Sequence, residues 1–326
     1  MTLTNDRGFS LSLGVWLATD TYAYSAVPRT ISATTLLQPI RAIVLALQNQ
    51  GLIQKGDIAA LIPSRMGTAF HDSIERSWTG PTLIDTLKKL GYPDSVINRL
   101  KVNPEPHELV KGVIPVYLEQ RAQKVINGFT ITGQFDFVGD GILEDFKSTS
   151  VYNYIFGSNE EKYLMQGSIY KWLNPQIITG FHMLVQYIFT DWSMKDSRQN
   201  RGYPKSKIVT KKLILKSVQE TEMFIQSTTS SILNLENKPQ HELPLCTPEE
   251  LWQKKDTWKF YKDPTKLGKS TRNFDNQSDA HIRFIKDGSK GLIKHFPGKV
   301  MRCKYCNVRE ICAQAQGLRQ SGLLDP

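Results

Sequence analysis

The sequence predicts an α/β fold, because a strongly patterned strand hairpin lies between two segments that are typical of helices. Residues 128–138 alternate apolar and polar side chains, which is typical of a β-strand. Residues 139–141 read Gly-Asp-Gly and predict a tight turn, since glycine supplies the positive φ of a sharp reversal. Residues 142–148 then predict the returning strand. With helices predicted at 64–79 and 160–173, we expect a central mixed sheet flanked by helices.

The other elements follow the same patterns. A helix is predicted from Ile31, with Pro39 in its first turn and Gly51 at its C-terminal cap. The remaining predicted elements are a strand at 114–124, a buried strand at 177–192, a polar loop at 193–207, an edge strand at 208–215 and a helix at 217–236.

We divide the chain into an N-terminal helical region or arm (residues 1–63), a core (64–240) and a basic C-terminal region (241–326).

The composition is that of a soluble globular protein, with 40% hydrophobic and 22% charged residues. The net charge of +10 and the pI near 9.3 favour a polyanionic partner, first of all nucleic acid, although a solvated basic surface gives the same numbers. No run of eighteen apolar residues predicts a membrane span, and the N-terminus does not read as a signal peptide. We therefore expect a cytoplasmic location and no membrane partner.

The hairpin carries a candidate catalytic group. Asp145 and Lys147 are two residues apart and leave the same face of one strand, and Asp136 lies near the end of the partner strand. Two carboxylates and a lysine suit metal-assisted phosphodiester cleavage with Mg²⁺ or Mn²⁺. A surface hairpin with scattered charges is the competing interpretation. Glu144 is predicted on the opposite face, but a one-residue register slip would exchange it with Asp145.

Each flanking helix places polar residues four apart on one face. These are His71 and Glu75, with Gly67 one turn earlier, and Gln166 and Tyr170. A histidine on a helix is more often a satisfied structural residue than a ligand. Taken alone, neither pair decides between a site and a packed surface.

All four cysteines fit one metal centre. Cys303 and Cys306 form a CxxC pair, Cys312 follows, and Cys246 lies in LPLCTPEELW. Four thiolates complete one zinc site or one iron–sulfur cluster, and the spacing does not decide between them. A closed set of four thiolates indicates a structural staple rather than a catalytic site.

Two basic segments each have two interpretations. The loop at 193–207 could follow a DNA backbone or be a solvated loop. Between Lys254 and Arg272, basic residues alternate with Trp258, Phe260 and Tyr261, which suits base stacking or a strand with one packed face.

Four segments, taken in order, resemble the motifs of the RecB-like branch of the PD-(D/E)XK nucleases. They are GTAFHDSIE, GQFDFVGDGILEDFK, QGSIY and CKYCNVREIC. ISATTLLQPIR and CTPEELW are similar to segments of stand-alone exonucleases of tailed bacteriophages, and the cysteine tail resembles the iron–sulfur staple of CRISPR-associated RecB-like exonucleases. The resemblance covers residues 64–172 and, through the cysteines, extends to 312. It implies a restriction-endonuclease-like core.

The resemblance also implies a role for each matching residue. His71, Asp136 and Asp145 would be metal ligands, with Glu75 supporting the site. Lys147 would position or activate the attacking water, Gln166 and Tyr170 would orient DNA or the lysine, and Gly67 and Gly133 would allow close approach. The four cysteines Cys246, Cys303, Cys306 and Cys312 would hold a [4Fe–4S] cluster. In the family the first cysteine usually precedes the catalytic core, whereas Cys246 follows it, so structural Zn²⁺ stays an alternative.

The sequence and the resemblance together predict a metal-dependent DNA exonuclease that acts in phage DNA recombination or degradation, in the bacterial host cytoplasm if it is phage-encoded. One alternative is a catalytically silent DNA-binding or recombination accessory protein on the same fold. Another is a zinc-stapled nucleic-acid module with an incidental charged hairpin. The sequence leaves open whether the protein forms a homo-oligomer or has recombination or replication partners.

Overall fold

The computed structural model describes residues 2–20, 27–50, 55–157 and 159–325. By its internal contacts the chain forms two units. Unit 1 comprises residues 1–37 and 52–230, and unit 2 comprises residues 38–51 and 231–326. The division at residues 63 and 240 stays a prediction, and Gly51, the predicted helix cap, lies outside the described residues.

The elements up to the central hairpin are, in chain order, β1 (Thr2–Thr4), α1 (Leu11–Ala18), β2 (Thr30–Ser32), α2 (Ala33–Leu36), α3 (Ile40–Gln48), β3 (Lys55–Asp57), α4 (Ile62–Thr79), α5 (Leu83–Lys89), α6 (Asp94–Ile97), β4 (Leu100–Val102), β5 (Ile114–Ile126), β6 (Phe129–Gly139) and β7 (Ile142–Thr149). After the hairpin follow α7 (Val151–Phe156), α8 (Glu160–Leu173), β8 (His182–Phe189), α9 (Met194–Gln199), β9 (Ile208–Ile214), α10 (Val218–Leu235), β10 (Thr257–Tyr261), β11 (Arg272–Phe274), α11 (Gln277–Lys286), β12 (Leu292–Phe296) and α12 (Ala313–Gln320). Short 3₁₀ turns lie at Ile58–Leu61, Pro106–Glu108 and Arg302–Tyr305.

Unit 1 is built on a mixed sheet with the strand order β4-β5-β6-β7-β8-β9. The pairs β5–β6, β6–β7 and β8–β9 are antiparallel, while β4–β5 and β7–β8 are parallel. β9 ends the sheet, which confirms the predicted edge strand. The predicted α/β class, with a central mixed sheet flanked by helices, is therefore confirmed.

The hairpin of β6 and β7 is confirmed, and its turn is built as expected. Asp140 (φ 48°) and Gly141 (φ 82°) both lie in the left-handed region that a two-residue hairpin turn requires. Residues on both faces of β6 are buried, including Phe129 and Ile131 on one face and Thr132 and Val138 on the other. The strand is thus covered on both sides although its sequence alternates.

Helices cover this sheet. α4 packs on β7, and α8 packs on β6. α4 begins at Ile62 with a proline in its first turn, where a missing N–H costs nothing, and α8 coincides with the prediction at 160–173. α4 and α8 therefore bring His71, Gln166 and Tyr170 to the sheet.

Two predicted elements differ from the structure. The helix expected from Ile31 is divided into β2, α2 and α3, and Pro39 is the N-cap of α3. Proline disfavours the helical conformation of the residue before it, so one helix cannot run through Gln38 and Pro39. The polar loop at 193–207 contains α9, because the Ser193 side chain accepts a hydrogen bond from the Asp196 N–H and caps it.

Unit 2 contains an antiparallel sheet with the order β11-β10-β12, and α11 packs on it. Phe260 and Tyr261 of β10 are buried, which supports the packed-strand interpretation at these two positions. None of the helices in the described ranges has the length and apolar character needed to cross a membrane.

Candidate active site

The site forms where β6 and β7 separate. Their pairing ends at Phe137 opposite Glu144, so Asp136 and Asp145 occupy the first positions beyond the ladder. β2 pairs with β6 only at residues 130–132. β6 residues 133–136 therefore have a neighbouring strand only on the β5 side within the described chain, and this leaves room for side chains at the opening.

The main chain of Phe146 links the two sides of this opening. Its N–H donates to Asp136 Oδ2 at 2.9 Å, and its carbonyl lies 3.2 Å from His71 Nε2. These contacts satisfy two backbone groups that a continued ladder would have used. They also fix the Asp136 carboxylate and the His71 ring in place.

Three side chains that could bind a cation lie directly beside Phe146, and we call them the cation-binding group. His71 Nδ1 is 3.5 Å from Asp136 Oδ1 and 3.6 Å from Glu119 Oε1. One ligand atom from each of His71, Glu119 and Asp136 lies within 4.8 Å of the others. Imidazole nitrogen and carboxylate oxygen are ligands that Mn²⁺ accepts, and the carboxylates suit Mg²⁺.

Glu119 is the residue of this group that sequence reasoning missed. It lies in β5 opposite Asp136, between the pairs Leu118–Phe137 and Gln120–Phe135, and its φ is 48°. A left-handed glutamate within a strand is an uncommon and strained conformation. Only the register of β5 against β6 places Glu119 at the site, and no local motif in the sequence marks it.

Polar neighbours hold Glu119 in this position. Gln134 Nε2 donates to Glu119 Oε2 at 2.8 Å, and Arg121 donates to Gln134 Oε1 at 3.0 Å. Arg121 and Gln134 are directly paired across β5 and β6. The strained carboxylate is therefore oriented by a hydrogen-bonded chain of side chains from the same two strands.

Asp145 and Lys147 form the second half of the site. Lys147 Nζ donates to Asp145 Oδ1 at 2.9 Å and lies 2.7 Å from Oδ2. Asp145 is buried, and Lys147 is its only ion-pair partner within the described residues. The ammonium group also lies 5.2 Å from the centre of the Tyr163 ring. Asp145 is not one of the three residues of the cation-binding group, because its carboxylate faces the lysine.

The clustered charges shift several pKa values. Burial lowers the pKa of His71, but the Glu119 and Asp136 carboxylates outweigh it and raise this pKa from 6.5 to about 9. Burial and the nearby Asp145 carboxylate raise the pKa of Asp136 from 3.8 to about 7. Burial opposes charge on Lys147, yet Asp145 and Asp136 hold its pKa above the usual range. The site is thus a set of mutually dependent charges with an excess of carboxylates.

α8 contributes a linked pair to the same region. Gln166 Nε2 donates to the Tyr170 hydroxyl at 2.7 Å, and both side chains are buried. Burial, followed by the Asp136 and Asp145 carboxylates, raises the pKa of Tyr170, so its hydroxyl stays protonated. A Cβ on Gly133 would lie 2.9 Å from the Tyr170 ring, which confirms that this glycine permits close packing.

Three other predicted positions lie apart from these contacts. Glu75 is half-buried and forms no side-chain hydrogen bond or ion pair within the described residues. A Cβ on Gly67 would meet only Ser148 Oγ at an ordinary 3.6 Å. Glu144 accepts from Gln186 Nε2 at 2.7 Å, away from Asp145. The register is therefore the predicted one, with Asp145 at the site.

The residues present fit a hard divalent cation. Three carboxylates lie here with two cationic side chains: Glu119 and Asp136 share His71, and Asp145 pairs with Lys147. Such a donor set is poorly compensated by protein groups alone, and a divalent cation would balance it.

The four cysteines line one cavity of unit 2, together with Arg41. All four are free, and burial raises the pKa of Cys246 to about 12. Within the described residues no three cysteine sulfurs lie within 4.8 Å of one another, whereas tetrahedral zinc holds its sulfurs about 3.8 Å apart. The cysteines share a cavity, but they are not in the arrangement of a closed zinc site.

Arg41 is the notable neighbour of this cavity. Its guanidinium is buried, donates to Cys312 Sγ at 3.4 Å and to the Leu243 carbonyl at 3.1 Å, and also contacts the Gln240 carbonyl and side chain. No acidic side chain of the described chain forms an ion pair with it. Thiolates would provide the counter-charge that a buried guanidinium requires.

No known family profile matches the sequence, and no curated protein matches it. Among solved structures, the crystal structure of SSO0001 is similar with a TM-score of 0.39 and 15% identity, covering 67% of this chain and 81% of that chain. A phage-related exonuclease from Haemophilus somnus 129PT is similar with a TM-score of 0.26 and 12% identity, covering 61% and 92%. Both are too distant to support an inference about this chain.

Proposed function

We propose that the protein is a metal-dependent deoxyribonuclease, and an exonuclease rather than an endonuclease. The observation that carries this proposal is the convergence of His71, Glu119 and Asp136 next to the Asp145–Lys147 pair. A group that could bind a cation, adjacent to a half-buried lysine, suits the hydrolysis of a phosphodiester. The restriction-endonuclease-like core and the RecB-like assignment are part of the same proposal.

In this proposal His71, Glu119, Asp136 and Asp145 hold Mg²⁺ or Mn²⁺. The cation would supply Lewis-acid activation and offset the negative charge of the phosphate. For Asp145 to contribute a ligand, it must share its charge between the cation and Lys147, which already lies 2.7 Å from its Oδ2.

The chain's own groups then have separate tasks. Lys147 presents a positive point charge to the scissile phosphate and orients the attacking water. Gln166 fixes the Tyr170 hydroxyl, which remains a donor that can orient DNA or the lysine. The Phe146 main chain keeps Asp136 and His71 in place throughout. Glu75 has a supporting role at most, because within the described residues its side chain forms no hydrogen bond or ion pair with these groups.

The cysteines have a structural role in this proposal. Cys246, Cys303, Cys306 and Cys312 would hold a [4Fe–4S] cluster, with structural Zn²⁺ as the alternative. A cluster of four irons needs its thiolates farther apart than a single zinc ion does, and all four cysteines line one cavity without three sulfurs in the close grouping of a zinc site within the described residues.

The test is digestion of end-labelled linear single- and double-stranded DNA with Mg²⁺ or Mn²⁺, comparing wild type with Asp145→Asn and Lys147→Ala. We expect the wild type to release label and both variants to lose at least about a thousandfold in rate. Glu144→Gln is the matched control, because it neutralises the adjacent carboxylate, which faces Gln186. A closed circular DNA in parallel separates exonuclease from endonuclease.

The outcomes are distinct. Cleavage by Asp145→Asn at the wild-type rate would contradict the proposed site. Stable DNA in all samples, with binding of DNA by the wild type, would instead indicate the silent accessory protein. Recombination or degradation of phage DNA remains the proposed setting and depends on activity being found.

A further inference from the structure

Most of the positive charge of unit 2 lies in one segment. Residues 254–299 contain twelve Lys and Arg against five Asp and Glu, a net +7 out of the +10 of the whole chain. This segment contains β10, β11, α11 and β12. The nuclease proposal assigns no role to it.

The two faces of the β11-β10-β12 sheet are different. Phe260 points to the face that α11 covers, since its ring lies 6.5 Å from that of Phe284. Lys259, the next residue along β10, points to the opposite face. Its cross-strand partners on that face are Lys294 of β12 and Asn273 of β11, both exposed. Thr257 and its partner Phe296 extend the same face at one end, and we call these five residues the open face; at the other end Tyr261 is buried.

Lys259 and Lys294 stand directly opposite each other in the antiparallel register. Like charges at directly opposite positions destabilise a sheet. Neither lysine forms an ion pair with an acidic side chain in the described part of the chain. Two unneutralised ammonium groups at adjacent positions are therefore an arrangement that an anionic ligand would stabilise.

An aromatic ring lies beside these charges. Phe296 is 39% exposed, and Lys259 Nζ lies 4.4 Å from the centre of its ring. An exposed ring on a sheet, next to lysines that could contact phosphates, is a combination that can stack unpaired bases. In a duplex the base faces are covered by their neighbours, so such a ring favours a single strand.

We propose that the open face of unit 2 binds single-stranded DNA, separately from the site in unit 1. Lys259 and Lys294 contact successive phosphates, Phe296 stacks on a base, and Asn273 and Thr257 provide polar contacts. This goes beyond the nuclease proposal and stands whether or not unit 1 cleaves DNA. Of the two interpretations left open for the 254–272 segment, the burial of Phe260 and Tyr261 favours the packed strand at these positions, and the stacking residue proposed here is Phe296 instead.

The test measures binding of the full-length protein to a labelled oligothymidine of about fifteen nucleotides and to a blunt duplex of the same length. The solution contains EDTA, so that cleavage does not enter the result. Lys294→Glu is expected to weaken oligothymidine binding about tenfold and to reduce the slope of log affinity against log salt by about one. Its thermal unfolding midpoint should equal or exceed that of the wild type, because an opposite charge then faces Lys259.

Phe296 tests the stacking component. Phe296→Ala is expected to weaken oligothymidine binding about tenfold, with a smaller effect on the duplex, while Phe296→Tyr keeps wild-type affinity. Lys269→Glu and Lys286→Glu are matched controls, since each makes the same charge change at an exposed site off the open face, in the β10–β11 loop and on α11.

Equal losses in the Lys294 variant and both controls would overturn the proposal, since net charge alone would then explain binding. Wild-type affinity in Lys294→Glu would overturn it as well. A loss on the duplex as large as that on the oligothymidine, together with no effect of Phe296→Ala, would overturn the single-strand assignment.

Discussion

The two units differ in how they distribute charge. Unit 1 holds the carboxylates of the candidate active site, and its 216 residues carry a net charge of only +3. Unit 2, with 110 residues, carries +7. The candidate catalytic residues thus lie in one unit, and most of the net positive charge that would attract a polyanion lies in the other. The carboxylates of unit 1 need a cation before they can act on a phosphate. The basic side chains of unit 2 attract a polyanion and do not bind that cation.

Their candidate metal-binding groups differ as well. Unit 1 gathers oxygen and nitrogen ligands at an opening in a sheet, with one strained residue, Glu119. Unit 2 gathers four sulfurs around a cavity beside a buried arginine. Hard ligands at an open position suit catalysis, and soft ligands in an enclosed position suit structure.

The strongest test of this contrast concerns Glu119. Glu119→Gln keeps the shape of the side chain but removes a charge from the cation-binding group, so metal-dependent cleavage should fall by about a hundredfold or more. Digestion rates across a Mn²⁺ titration measure this and should show a higher metal requirement. Glu161→Gln, an exposed position on α8, is the control. Unchanged rates in Glu119→Gln would remove it from the site.

Arg41 tests the other unit. Arg41→Met leaves the Gln240 and Leu243 carbonyls without their donor and removes the positive charge beside Cys312. We expect a loss of about 2–3 kcal/mol of unfolding free energy and lower iron or zinc content in the purified protein. Lys238→Met, an exposed surface change, should alter neither quantity. Full metal content in Arg41→Met would show that the guanidinium does not support the thiolates.

The pH dependence of metal binding tests the ligands of unit 1. His71 must lose its proton to bind a cation, and its pKa is about 9, so Mn²⁺ affinity should rise about tenfold per unit between about pH 6 and 8. Without metal the trend is opposite. The raised pKa of His71 contributes stability that is fully present below pH 6.5 and is lost as pH rises through 9.

Calorimetric Mn²⁺ titrations and thermal unfolding over this pH range measure both trends. In His71→Gln, Mn²⁺ affinity and stability should both depend less on pH. Part of the pH dependence of Mn²⁺ affinity should remain, because Asp136 has a pKa of about 7. An unchanged slope in His71→Gln would contradict metal binding by this histidine.

The smallest effect is expected from a pair of glycines. Gly133→Ala should cost about 1–3 kcal/mol, because its Cβ would overlap the Tyr170 ring and Leu173. Gly67→Ala should be neutral or stabilising by up to about 1 kcal/mol, because α4 gains helix propensity and the Cβ meets only Ser148 Oγ. Denaturant unfolding measures both, and equal losses would contradict the packing described for α8.

Local patterns predicted much of unit 1. The hairpin, α8 and the edge strand β9 follow from periodicity and turn residues, and these place Asp136, Asp145 and Lys147 correctly relative to one another. Glu119 could not be predicted in this way, since it depends on a long-range register and a left-handed backbone that glutamate rarely adopts.

Unit 2 was less predictable for a related reason. The alternation around Phe260 and Tyr261 is the same for a stacking surface and for a packed strand, and only α11 and the register decide which side chains are exposed. Phe296 and Lys294 come from a strand more than thirty residues later and carry no motif. The four cysteines could be grouped by count, but the buried charge of Arg41 beside them could not be foreseen.

Phe146 has a further consequence for how this protein tolerates change. Its N–H and its carbonyl hold Asp136 and His71, and its ring also lies edge-to-face against the His71 ring, with 6.0 Å between the ring centres. Large apolar residues at this position would leave the main-chain contacts intact and could still pack on Val116, Leu118 and Phe137, whereas alanine would lose that packing and the ring contact with His71. Proline alone removes the N–H. Position 146 should therefore tolerate large apolar residues but exclude proline. A comprehensive substitution library would reveal this as a profile that tolerates large apolar residues and rejects proline.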